Sequence, residues 1–143
     1  MKNKNVTYND VSCLAVPMRL SDSELLTYIQ TDINWKYVDT IKKLTGFNDN
    51  IISDWLNVSI KTFRSYRLSK NGFKQNVKEQ IVLLLSLMNH GIHVFGNETE
   101  FKNWLNVSNF YFDNKTPNQF LNTITGIKFV DERLTAMEYG DNI

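Results

Sequence analysis

The sequence predicts an all-α protein in which a long central helix joins a helix-turn-helix region to a second, small helical domain. Three observations lead there. Val77, Ile81, Leu84, Leu85, Met88, Ile92 and Phe95 recur through Lys74–Gly96 at the spacing of one helical face. Capping signals at Ser21 and Ser59 open further periodic segments. No run beyond a few residues alternates as a strand would.

In chain order, residues 1–20 show no clear period. Val11, Leu14, Val16 and Met18 suit either packing onto the domain or a mobile arm. Ser21-Asp-Ser-Glu24 has capping-box spacing, in which Ser and Glu satisfy each other's free backbone donors. Leu25, Leu26, Ile29 and Ile33 follow as a buried face. Trp35, Val38, Ile41, Lys42 and Leu44 suggest a helix stopped by Gly46. Two short helices come next, Asp49–Leu56 and Ile60–Arg67, then an Asn71-Gly72 turn. Val82, Leu83 and Leu87 widen the stripe of the central helix beyond what a surface helix needs, so it should be buried on several sides. Its apolar run, Ile81–Met88, contains Ser86 and falls far short of the roughly 18 residues of a membrane span. Beyond Gly96 the pattern predicts a helix over Glu98–Leu105 and an aromatic loop over Asn106–Lys115. A short helix opening at Pro117 and a last helix over Ile127–Tyr139 complete the chain.

At 143 residues the chain can bury one good core, or two small modules sharing one. Its net charge of +1 conceals an asymmetry. Six basic residues and no acid lie between Asp54 and Glu79, whereas seven acids face four bases from Glu98 onward. The lone Cys13 can close no internal disulfide, and the N-terminus lacks a signal-peptide core. Both point to the cytoplasm.

Asp49–Tyr66 fits a helix-turn-helix by position. Ser53 stands at the close crossing, and Ile52, Leu56, Val58, Phe63 and Tyr66 take the buried slots. Asn57 takes the turn position where Gly is usual, being the best non-Gly residue for a left-handed backbone. The second helix would then present Ser59, Lys61, Thr62, Arg64, Ser65 and Arg67 to DNA, with Arg64 on a base edge. Lys70 and Lys74 would hold phosphates. The competing possibility is an ordinary helical hairpin with a solvated basic face. One such unit binds DNA weakly. A homodimer through the wide stripe of the central helix would place two of them one DNA turn apart.

Residues 94–140 carry Val94-Phe95-Gly96, Trp104-Leu105, Asn109, Thr116-Pro117 with Phe120-Leu121, then Gly126 and Gly140. This order resembles the toxin-binding domain of the Xre/MbcA/ParS antitoxins, in which an Xre-like helix-turn-helix comes first. The resemblance covers about residues 22–143. It implies a DNA-binding region at 21–73, the central helix at 74–96 and a toxin-binding domain at 97–143, and leaves 1–20 as an N-terminal arm outside the resemblance. The implied partners are operator DNA and a RES-domain toxin that consumes NAD, whose active site the C-terminal domain covers. Matching positions Trp104, Leu105, Asn109, Pro117, Phe120, Leu121 and Gly126 would shape that domain, and Phe112 lies in its aromatic loop. The tail Glu138, Tyr139, Gly140, Asp141, Asn142 and Ile143 would enter the toxin's cleft, its acidity standing in for a phosphate-rich cofactor. Trp104 and the loop aromatics are rigid anchors of the kind found at interfaces, although Trp104, Leu105, Phe120 and Leu121 also suit a core. Two positions depart from the pattern: Phe101 replaces a small residue, and Asp113-Asn114 a Gly-rich loop.

Nothing suggests catalysis. His90 and His93 are three apart but lack further metal ligands, and no nucleophile triad, phosphate loop or carboxylate pair stands out. The expectation is a non-enzyme without metal or cofactor. The alternative to an antitoxin is a stand-alone dimeric helix-turn-helix regulator with no toxin partner.

Overall fold

A computed structural model describes residues 16–69 and 72–140. Cys13, most of the N-terminal arm, Lys70, Asn71, Asp141, Asn142 and Ile143 lie outside the described residues. Among the described residues seven α-helices run in order: α1 (Asp22–Ile29), α2 (Trp35–Thr45), α3 (Asp49–Trp55), α4 (Ile60–Leu68), α5 (Gln75–Phe95), α6 (Glu98–Leu105) and α7 (Ile124–Glu138). Two 3₁₀ turns, Phe110–Phe112 and Pro117–Phe120, lie between α6 and α7. The described residues hold no strand, only an isolated antiparallel bridge between Asn109 and Lys115. None of their helices is long and apolar enough to cross a membrane.

The fold is built around α5. Helices α1, α2, α6 and α7 all pack on it, so its apolar residues find partners in every direction. Ile81, Leu84, Leu85 and Met88 are fully buried, each contributing about 1.5–3 kcal/mol. The widening of the stripe has the same origin. Val82, Leu83 and Leu87 are buried within the chain, against α1, α7 and the incoming segment 16–20. This corrects one expectation, because the wide stripe is not a free face for a second copy. The long helix is also less a joint than a shared core, since one continuous apolar cluster runs from Val16 to Met137.

Local signals act where the spacing places them. Ser21 and Glu24 form the reciprocal capping box, and Gly46 ends α2 in a left-handed conformation at φ 69°. The end of the arm packs rather than roams. Val16 is buried, the Ser86 hydroxyl donates to the Pro17 carbonyl at 2.6 Å, and Asn89 Nδ2 donates to the Val16 carbonyl at 2.9 Å. Two boundaries differ from expectation. Helix α1 stops at Ile29, leaving Ile33 buried in the following loop and Leu26 exposed. Helix α7 begins three residues early, because the Thr123 hydroxyl caps it by accepting from the Gly126 N–H at 2.9 Å.

Candidate functional site

Two regions concern function: the α3–α4 pair and the end of the molecule formed by α6, α7 and the turns between them. In the first, Asn57 adopts the left-handed backbone at φ 59° and carries the chain from α3 into α4. Ser53, Ile52, Leu56 and Phe63 are buried between the helices and the core. The Ser59 hydroxyl caps α4 by accepting from the Thr62 N–H at 3.0 Å. Lys61, Thr62, Arg64, Ser65 and Arg67 are all exposed on α4, and Lys74 is exposed at the start of α5.

A contact that the charge count did not reveal sits beside this basic face. Asp49, at the start of α3, pairs with Lys42 at 2.7 Å and lies 3.6 Å from Arg64 and 3.8 Å from Arg67. The hydrogen bond from Lys42 holds the Asp49 carboxyl below its usual range, with the Lys42 and Arg64 charges helping against partial burial. Arg67 also stacks 5.1 Å above the Trp35 ring. No spacing rule links residue 49 to residues 64 and 67, which is why only the folded pair shows it. The same helix pair is fastened to the far end of the chain. Trp55 Nε1 donates to the Asn118 carbonyl at 3.2 Å, and Asn57 Nδ2 donates to the Asn122 carbonyl at 2.6 Å.

In the second region, Trp104, Phe112 and Pro117 are buried. The Phe112 ring packs edge-on against Trp104 and Phe129, and tilted against Phe120. These residues hold α6, the turns and α7 together. Asn109 ties the loop: its side chain accepts from the Tyr111 N–H at 2.9 Å, and its backbone pairs with Lys115 and Asn114. Asp113 and Asn114 both adopt left-handed conformations, at φ 58° and 62°, doing what glycines do elsewhere. Phe101 fits because it packs against Gly91 of α5, which has no β-carbon to obstruct the ring. The exposed apolar residues here are Val107, Phe110, Tyr111, Phe129 and Tyr139.

Glu138 is tied down rather than loose. Its carboxylate receives the buried His90 imidazole at 2.9 Å, His93 at 3.2 Å and the Arg19 guanidinium. The other ring nitrogen of His90 meets Asp131 at 2.7 Å. Burial pulls the His90 pKa down, but hydrogen bonds to Asp131 and Glu138 and their charges outweigh it, leaving the pKa above its ordinary 6.5. The hydrogen bond from His90, against some burial and with help from Arg19, lowers the Glu138 pKa. An imidazolium donating to both carboxylates therefore joins α5 to the middle and end of α7, with Arg19 adding a second cation at Glu138. Beyond this clamp Tyr139 is 77% exposed, and Gly140 turns at φ 108°. The described residues contain no cluster of metal-ligating side chains.

Residues 90–140 match the family model described as the antitoxin Xre/MbcA/ParS C-terminal toxin-binding domain. No curated protein matches the chain. The matched stretch begins at the clamp histidine of α5, runs through the buried Trp104, Phe112 and Pro117, and ends at Gly140. The last third of this chain thus matches the toxin-binding domain of the Xre/MbcA/ParS antitoxins.

Proposed function

We propose that this protein neutralises a RES-domain toxin that consumes NAD, and that it represses its own operon through α3 and α4. The observation that carries the reading is the family match over residues 90–140, which falls on a folded unit with a fixed root and an exposed end. Helix α7 delivers Tyr139 and Gly140 from the Glu138 clamp, and the tail enters the toxin's cleft from there. Glu138 then anchors the insert. Trp104, Phe112 and Pro117 contribute by shaping the platform from within, and Asn109 by closing its loop.

The exposed cations of α4, next to the N-cap Ser59 and its free amides, support the operator reading. Lys61, Thr62, Ser65 and Arg64 read the groove, while Arg67, Lys70 and Lys74 hold phosphates. Two copies paired one DNA turn apart would supply the affinity one unit lacks. With the α5 stripe covered, that pairing uses another surface.

Growth rescue tests the reading. Co-expression with a RES-domain toxin encoded beside this gene should restore growth, and deletion of Tyr139–Ile143 should abolish the rescue while the truncated protein stays folded. Full rescue by the truncated protein would remove the tail from the mechanism. No rescue by the full chain would remove the toxin.

A further inference from the structure

The loop after α6 carries the densest exposed apolar cluster of the toxin-binding domain. Phe110 is 83% exposed, Val107 60% and Tyr111 49%. With Ser108 and Asn109 they line a groove of about 380 Å³ that Trp104 also lines. Exposed aromatics on a mobile loop would signify little, but this loop is locked. Asn109 receives N–H bonds from Tyr111 on its side chain and from Phe112 and Asn114 on its carbonyl, at 2.9–3.0 Å. Phe112 is buried beneath it, and the Arg133 guanidinium lies 3.4 Å from the Tyr111 ring centre. Phe110 is thus held outward, against the edge of Tyr111, with little among the described residues to cover it.

We propose that this rigid knuckle, Val107 to Tyr111 over Trp104, is the seat of a protruding segment of the toxin. The segment brings an apolar side chain against Phe110 and Tyr111. The inference rests on the antitoxin reading and adds to it a docking site separate from the tail. A partner protein is favoured as occupant because the residues belong to the domain matched as toxin-binding, and because a pre-ordered aromatic pair loses little entropy on binding.

The test uses the full-length protein and the co-expressed RES-domain toxin, inactivated by substitution. Affinity is measured for the parent, Phe110→Ala and Val107→Ser, with circular dichroism confirming the fold of each. Phe110→Ala should weaken binding about 30-fold, the scale of a central aromatic anchor. Val107→Ser, which removes apolar surface from the rim of the groove, should weaken binding about fivefold. Parent-like affinity in either folded variant overturns the proposal and leaves the antitoxin reading standing. If Phe110→Ala abolishes self-association of the protein but not toxin binding, the knuckle is a self-interface and the proposal fails. If the parent itself does not bind, the reading beneath it fails instead.

Discussion

The ring of Phe101 on α6 occupies the space that a β-carbon on Gly91 of α5 would fill. The pair explains how a bulky aromatic is accommodated between the two helices. Gly91→Ala should therefore destabilise the protein by about 1–3 kcal/mol, since the buried Phe101 cannot turn away into solvent. In a double-mutant cycle, Gly91→Ala should cost much less in a Phe101→Ala background. Equal costs in both backgrounds, read from denaturant midpoints, would show that the two residues do not share the space.

Stability should peak in mildly acidic solution because of the His90 clamp. The His90 pKa is raised, so its contribution is complete below the ordinary 6.5 and is lost as pH rises through the folded value. Glu138 and Asp49 have lowered values, so theirs are complete above 4.5 and 3.8 and are lost as pH falls through the folded values. All three are fully present between about pH 4.5 and 6.5. His90→Gln should lose about 1–3 kcal/mol at pH 6 and progressively less toward alkaline pH. Denaturation midpoints across pH check this, and a deficit that stays constant with pH would mean His90 is not charged in the fold.

Asn57 has two separable duties. Its left-handed backbone turns α3 into α4, and its side chain donates to Asn122. Asn57→Gly keeps the first and loses the second, so it should cost about 0.5–1.5 kcal/mol while preserving the helix pair. Asn57→Val loses both and should cost more, because a β-branched residue resists positive φ. Thermal melts rank the two, and an equal cost for both would deny the turn its role.

On DNA, Lys61→Ala should weaken binding to a promoter fragment and to unrelated duplex alike, and reduce the salt slope by about one. Arg64→Ala should instead lose preference for the promoter by about 1–3 kcal/mol. Asp49→Asn, which releases Arg64 and Arg67, should tighten binding to both. Titrations at several salt concentrations separate these effects. Undiminished promoter binding by a Lys61→Ala/Arg64→Ala double variant would refute the recognition-helix assignment.

Much of the architecture was legible in residue order. Periodicity located α5, and caps at Ser21 and Ser59 and the stop at Gly46 located their helices, because these signals act within a few residues. The Pro117 turn and the left-handed Asn57 could be read for the same reason. What was not legible depends on distant residues meeting. The stripe on α5 looked available until α1, α7 and segment 16–20 covered it. His90 read as a polar helix end because Asp131 and Glu138 lie 41 and 48 residues away. Trp104 read as core more than contact, and Phe112 as an interface anchor; burial places both in the core, while the neighbouring Phe110 stays out.

The most direct measurement of the central claim is NAD consumption by a purified RES-domain toxin titrated with this protein. The account predicts that NAD loss stops at a fixed stoichiometric ratio, and that removing Tyr139–Ile143 relieves the inhibition. NAD consumption that continues unchanged at saturating protein would contradict it.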